Sequence, residues 1–311
     1  MQSVALYGRL LARAIVTGIH SEIQLKSSVD RKELQFVTGA SGFSKSLSKP
    51  QGPKKWTFGD DAYFIARDKV ADVIGVADGV GGWRSYGIDP SQFPRSLMNI
   101  CERLVREGHF RPQAPAHMIA DSYEELLQQK GPLIGSSTAC IVALHREERT
   151  MYTANLGDSG FLLIRDGEVI HRSQEQQHYF NTPFQIAVAP PTQEGQVLSD
   201  SPDMAESTSF GVKEGDIILV GTDGLFDNLS EDMILSHIAR LKDHREESVQ
   251  KTAHGMADHA HTLSLDPDYM SPFALSAVDV GIDIKGGKPD DITVVVARVS
   301  NLCQDDFSSI T

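Results

Sequence analysis

Eight aspartates stand where hydrolytic chemistry would need carboxylates. Asp60-Asp61, Asp78, Asp158, Asp223, Asp227 and Asp290-Asp291 lie at the ends of apolar runs, far apart along the chain. Asp78 and Asp223 each follow a strand-like run and precede a glycine, in VIGVADGVGG and IILVGTDGLFD. Asp158 sits in ANLGDSGF between two such runs, and Asp290-Asp291 open the last one in GGKPDDITVVV. Paired strands bring their ends together, and carboxylates gathered at one rim repel one another unless cations lie between them. Hard oxygen ligands, without cysteine or clustered histidine, suit Mg2+ or Mn2+ rather than zinc. Gly79 has no Cβ to keep its carbonyl from such an ion.

The same residues admit a purely structural reading. Asp-Gly is a common turn dipeptide, and Asp166-Gly167 between two strand-like segments is read as one. Asp158-Ser159-Gly160 suits a turn equally well. Acids also open helices, and Ser230 before Glu231 and Asp232 has capping chemistry. His109, His117, His237, His244, His254, His259 and His261 fall mostly on polar helix faces or loops, without a metalloprotease pattern. No nucleophile elbow or phosphate-binding Walker loop occurs. From the residues alone two readings stand: a divalent-metal site held by carboxylates, or a set of turns and caps.

The elements that must position these acids alternate between strand and helix character. Strands are expected over Val70–Ala77, Ser137–Leu144, Met151–Leu156, Asp216–Gly221 and Ile292–Val299, with a hairpin from Gly160–Ile164 and Glu168–His171 around Asp166-Gly167. Helices are expected over Ser91–Gly108, with Phe93, Leu97, Cys101, Leu104 and Val105 on one face, and over Ala114–Gln129, Glu231–Leu241 and Ser248–Leu265. Helices that follow one another, and strands joined as hairpins, argue for an α+β arrangement rather than a dinucleotide-binding βαβ fold.

The chain has 311 residues and a net charge of −13. Its 40% hydrophobic content supports a sizeable core. The acidic balance disfavours nucleic acid as a partner, which needs clustered Lys and Arg, and no apolar run is long enough for a transmembrane helix. Three scattered cysteines, Cys101, Cys140 and Cys303, form neither a disulfide framework nor a zinc site; a soluble protein of a reducing compartment is expected. Residues 1–55 carry nine Lys or Arg and three acids, leaving −19 for residues 56–311. The opening MQSVALYGRLLARAIVTGIH is amphipathic and free of acids, the character of a mitochondrial transit peptide, with a flexible basic tail as the alternative. Residues 38–55 have linker chemistry, so folded structure is expected from Trp56, over 56–299, with a mobile tail at 300–311.

Taken jointly, six motifs change the balance between the two readings. Gly59-Asp60-Asp61-Ala62, Val76-Ala77-Asp78-Gly79-Val80-Gly81-Gly82, Gly135-Ser136-Ser137-Thr138-Ala139, Asn155-Leu156-Gly157-Asp158-Ser159-Gly160, Thr222-Asp223-Gly224-Leu225-Phe226-Asp227 and Asp290-Asp291-Ile292-Thr293-Val294 occur in that order. The set resembles the metal-dependent protein serine/threonine phosphatases of type 2C (PPM-type), and DGVGGWR, QQHYFNTPFQ, YMSPFA and GGKPDDITV resemble their mitochondrial branch. The resemblance implies a four-layer α/β/β/α sandwich with two central antiparallel sheets and metals at one end. It implies two ions, Mg2+ or Mn2+, and a weaker third. Asp78 would bridge the two, with the Gly79 carbonyl on the first and Asp223 and Asp290 on the second. Asp60 or Asp61 would hold metal-bound water, Asp61 being taken as the catalytic residue. Asp158 and Asp227, with Asp223, match the positions of the third ion. The implied partners are phosphoprotein substrates and the implied place is the mitochondrial matrix, with the cytoplasm as alternative.

Three positions depart from the family pattern. Val80 stands where many members have a histidine proposed as the acid that protonates the leaving group. Trp56 stands where many have a phosphate-gripping arginine, for which Lys54, Lys55 or Arg84 would substitute. Gly160 replaces an arginine after Asp-Ser. His178 is an alternative proton donor, weighed against a packed or surface histidine. Intact metal acids favour an enzyme over a partner-binding scaffold of the same fold, and the acidic domain disfavours a two-metal nuclease.

Overall fold

The computed structural model describes residues 33–45 and 58–301, apart from Lys130, Pro132, Pro191, Gln193, Glu194 and Gln196. Two five-stranded sheets form the centre. One runs in the order β1 (Leu34–Phe43), β14 (Ile292–Asn301), β13 (Ile217–Gly221), β7 (Gly160–Arg165), β8 (Glu168–Arg172). The other runs β12 (Glu206–Gly211), β6 (Thr150–Leu156), β5 (Ala139–His145), β3 (Ala71–Ala77), β2 (Ala62–Arg67). Two small ladders lie beside them: β4 (Gly135–Ser137) with β11 (Ile186–Val188), and β9 (Gln177–Tyr179) with β10 (Thr182–Pro183).

Side-chain alternation along these strands divides the interior into three apolar layers. Between the sheets lie Ile74 and Val76 of β3, Val142 and Leu144 of β5, Phe161 and Leu163 of β7, Ile218 and Val220 of β13, and Val295 of β14. The intervening residues point outward. Val73, Ile141 and Ala154 meet helices α1 (Gln92–Arg106) and α2 (Pro115–Gln128) through Phe93, Leu97 and Ile119. On the far side Leu162, Leu219, Val294 and Val296 meet α4 (Glu231–Ile238) and α5 (Glu246–Ser264) through Ile234, Val249 and Met256. Two shorter helices, α3 (Asp223–Phe226) and α6 (Pro272–Asp279), complete the fold. Coverage on both faces explains why antiparallel strands carry continuous apolar runs such as IILVG in β13 and VVVA in β14, where a half-exposed strand would alternate. The expected α/β/β/α sandwich is therefore present. The hairpin turn is also as expected, with Asp166 at φ 53° and Gly167 at φ 85° joining β7 to β8, and Ser230 caps α4 by accepting from Met233 N.

The N-terminal boundary needs correction. Among the described residues, structure upstream of Trp56 belongs to the fold: residues 34–43, six of which have linker chemistry, form an edge strand of a central sheet. Leu34 and Phe36 are fully buried between the sheets. The small residues that suggested a linker are small because α5 crosses the strand closely: a Cβ on Gly39 would lie 2.5 Å from the Gln250 backbone. Gln250 then bridges Ala40, accepting from its N–H at 3.0 Å and donating to its carbonyl at 2.7 Å. Polar groups of the edge strand are thus satisfied by a helix side chain. At the other end β14 runs on to Asn301, two residues beyond the expected end. The transit-like stretch 1–20, Trp56, Cys303 and residues 302–311 lie outside the described residues. No helix among the described residues is long and apolar enough to cross a membrane.

Candidate metal centre

Strand register gathers the acids at one rim. Ala62 pairs with Ala77, which sets Asp61 beside Asp78. Gly221 pairs with both Gly160 and Val294, which draws Asp158, Asp223 and Asp290-Asp291 to the same end of the other sheet. Asp78, Asp158 and Asp223 each offer a carboxylate oxygen within 4.8 Å of the others. The carboxylates of Asp61 and Asp223 both abut that of Asp78.

Neighbouring hydroxyls fix these carboxylates. Thr222 and Thr293 both donate to Asp61 Oδ2 at 2.8 Å. Thr138 Oγ1 accepts from the Asp78 N–H at 3.0 Å and bonds Ser159 Oγ at 2.7 Å. Asp291 acts as a brace: it accepts from the N–H groups of Lys45 and Asp60 at 2.8 and 3.1 Å. Close packing of the acidic loops accounts for two glycines. A Cβ on Gly79 would meet the carbonyls of Pro90 and Asp60 at 2.5 and 2.6 Å, and one on Gly224 the Asp291 carbonyl at 2.1 Å. Gly157, at φ 104°, makes the turn that presents Asp158. The turn expected in that segment is present, and it leaves the Asp158 carboxylate at the acidic rim.

Two lysines and an arginine line the rim. Lys288 Nζ lies 2.5 Å from Asp223 Oδ2, 2.6 Å from Asp227 Oδ2 and 3.5 Å from Asp290 Oδ2. Lys45 Nζ lies 3.1 Å from Asp290 Oδ1, 3.3 Å from Asp291 and 3.5 Å from Asp60. Arg84 grips Asp60 with two bonds of 2.6 Å. Asp290 is thus held between two lysines, and Asp60 is committed to Arg84, which leaves Asp61 as the member of that pair facing Asp78. Neither lysine was singled out from the sequence as a partner of these acids. Lys45 fell in the expected linker, and Lys288 was visible only as one cation in the loop GGKPDD.

The electrostatics reflect crowding of like charge. Burial, then Asp223, Asp61, Asp290 and Asp158, pushes the Asp78 carboxyl well above the usual carboxylate range. Burial and then Asp291 raise Asp61, and burial and then Asp223 raise Asp158. Burial also raises Asp290 and brings Asp227 up to about 7, against the pull of Lys288. Asp223 is instead held below its ordinary value: burial acts upward, but the Lys288 ammonium outweighs it. Three carboxylate oxygens, Asp61 Oδ1, Asp158 Oδ1 and Asp223 Oδ1, are buried without a hydrogen-bond donor. Bare anionic oxygens cost several kcal/mol each when left without a counter-charge. This donor set, oxygens only and clustered within ligand reach, fits hard divalent cations.

Two sequence expectations fall away from the acids. Val80, whose N–H bonds the Ser136 carbonyl at 3.1 Å, lines an open cleft with Trp83, Tyr86, Gln185 and Leu198. His178 is tied to Asp200 at 3.1 Å and stacks on Phe184, a surface histidine of the β9–β10 segment.

Comparison with known proteins places this geometry. The profile of the family described as Stage II sporulation protein E (SpoIIE) matches residues 73–300. The protein phosphatase PTC7 homolog of Danio rerio is 57% identical over 300 residues, covering 96% of this chain and 99% of that protein. The PTC7 homolog of Homo sapiens is 56% identical with the same coverage. Among solved structures, the photosystem II phosphatase PBCP superposes with a TM-score of 0.71 at 27% identity, covering 86% of this chain and 100% of that one. With the sandwich, the acidic rim and these relatives in agreement, the chain belongs to the PPM-type metal-dependent protein serine/threonine phosphatases.

Proposed function

We propose that this phosphatase hydrolyses phosphoserine and phosphothreonine in proteins with two divalent ions, Mg2+ or Mn2+, held by Asp78, the Gly79 carbonyl, Asp223 and Asp290. The observation that carries this reading is the trio of bare, buried carboxylate oxygens on Asp61, Asp158 and Asp223 around Asp78. When bound, the ions supply positive charge to the phosphoryl oxygens and a water nucleophile near neutral pH. Asp78, whose carboxylate lies among those of Asp61, Asp158 and Asp223, would be the ligand shared by the ions. Asp61, its Oδ2 fixed by Thr222 and Thr293, keeps Oδ1 free to orient the attacking water. Asp290 would give up its contact with Lys45 to hold an ion. Arg84, half-exposed beside Asp60, takes the phosphate-gripping role in place of the position held by Trp56. Cys101 and Cys140 are buried thiols inside the layers, remote from any nucleophilic task, so transfer goes directly to water. With valine rather than histidine at position 80, the leaving alkoxide takes its proton from solvent.

The reading predicts phosphate release from a phosphothreonine peptide by the full chain with Mn2+ or Mg2+, none with chelator, and loss in Asp78→Asn and Asp223→Asn. Turnover that survives chelation would refute it. A mitochondrial address is proposed as well, supported by the acid-free amphipathic stretch 1–20 with Arg9 and Arg13. Fusion of residues 1–32 to a reporter should direct it to mitochondria, and Arg9→Glu with Arg13→Glu should abolish that. A cytosolic reporter would refute the address.

A further inference from the structure

Lys288 is the least exposed cation at the rim, with 14% of its side chain open to solvent. It reaches from the loop before β14 to acids more than sixty residues away, touching Asp223 Oδ2 at 2.5 Å and Asp227 Oδ2 at 2.6 Å. Those two acids and Asp158 are the set that would take a third ion. An ion bound to the same two oxygens needs about 2.0–2.6 Å to each, so ion and ammonium exclude one another sterically and by charge.

Its placement is built in rather than incidental. Asn228 clamps the Lys288 backbone from both sides, accepting from its N–H and donating to its carbonyl, both at 2.9 Å. Pro289 then restricts the exit of the loop. The ammonium lies 5.0 Å over the Phe273 ring, and Phe273 in turn packs against Phe180 at 5.2 Å. Asn228 is itself anchored to the Gly224 carbonyl at 2.9 Å, in the turn that carries Asp223. Asn228 thus ties the Lys288 loop to the turn that carries Asp223.

We propose that Lys288 is a resident cation that fills the third-ion position, so that this enzyme takes up two divalent ions where Asp158, Asp223 and Asp227 would otherwise admit a third. The inference rests on the two-ion reading above. In it Asp227 is neutralised by the lysine rather than serving as a ligand, and Asp158, freed from a third ion, turns its bare oxygen to the Asp78–Asp223 pair. One covalently tethered charge replaces a weakly held ion whose occupancy would vary with free metal concentration.

The test is the number of Mn2+ ions bound at saturation by the full chain, read by equilibrium dialysis and electron paramagnetic resonance. Wild type should hold two, while Lys288→Ala and Lys288→Met should hold a third, weaker ion. Lys285→Ala, which removes an exposed lysine paired with Asp268, should stay at two. Asp227→Asn with Lys288 intact should also stay at two, a measurement that does not depend on the Lys288 variants folding. Three ions in wild type, two in folded Lys288 variants, or fewer than two in Asp227→Asn would overturn the proposal. No bound ion in wild type would overturn the metal reading itself, and the lysine's role with it.

Discussion

Asp78→Asn should make the metal-free protein more stable and the metal-loaded protein less stable than wild type. Asp78, Asp158 and Asp223 bring carboxylate oxygens within 4.8 Å of one another, and two full charges at that separation repel by about 3.5 kcal/mol at an effective dielectric near 20. Part of that cost is already relieved, because burial and the neighbouring acids push the Asp78 carboxyl well above the usual carboxylate range, toward its neutral form. Asparagine therefore removes only the residual repulsion, about 1–2 kcal/mol. For a domain of this size that raises Tm by about 2–8 °C in chelator. With Mn2+ at about a hundred times its dissociation constant, wild type gains about 2.7 kcal/mol for each ion it holds, or about 5–10 °C per ion, which the variant cannot gain without the Asp78 carboxylate. The assay is thermal unfolding of both proteins at pH 7.5, in chelator and in Mn2+. The predicted result is a crossing of the two orders of stability. A variant that melts below wild type in chelator, or that keeps the Mn2+ shift, would refute the reasoning.

The same crowding sets a pH dependence. Asp78, Asp61 and Asp158 are raised, and Asp227 sits at about 7, so the folded metal-free protein holds protons that the unfolded chain releases above about pH 4. Its stability should fall as pH rises from about 4 through 7, and the Mn2+-induced shift should grow over that interval because the ions displace those protons; melts in chelator that stay flat or rise across it would contradict this. Deleting residues 1–32 keeps β1, whereas deleting 1–45 also removes Leu34 and Phe36 from the inter-sheet layer. At about 1.5–3 kcal/mol for each buried side chain, the longer deletion should lose at least about 3 kcal/mol in urea unfolding, and equal midpoints for the two truncations would contradict the placement of β1. Arg84→Ala should raise KM for a phosphothreonine peptide several-fold with kcat little changed; a fall confined to kcat would show that the guanidinium does not bind ground-state phosphate.

Much of this fold was legible because its strands are covered on both faces and its helices on one. Phe93, Leu97, Cys101 and Val105 mark one stripe of α1, and the Val/Ile run of β14 needs two apolar layers to bury it. The acids were legible because each stands next to a glycine or at the mouth of such a run. What stayed hidden depended on contacts across the chain. β1 carries Gly39 and Gly42 to admit α5 and its neighbours, and small residues chosen for close approach read as a linker. β12, an edge strand with alternating half-exposed polar residues, has the composition of a loop. The division of labour within Asp60-Asp61 follows from Arg84, Thr222 and Thr293, partners separated from the pair by 24 to 232 positions. Lys288 likewise acquires meaning only once β13 and β14 pair and set it between Asp223 and Asp227.

The most direct test of the metal centre is anomalous diffraction at the manganese edge from crystals of the full chain grown with Mn2+. Two peaks are predicted at the rim, sharing Asp78, with the Gly79 carbonyl on one and Asp223 and Asp290 on the other. Manganese bound elsewhere, or an empty rim in crystals that hold manganese at other sites, would contradict the account.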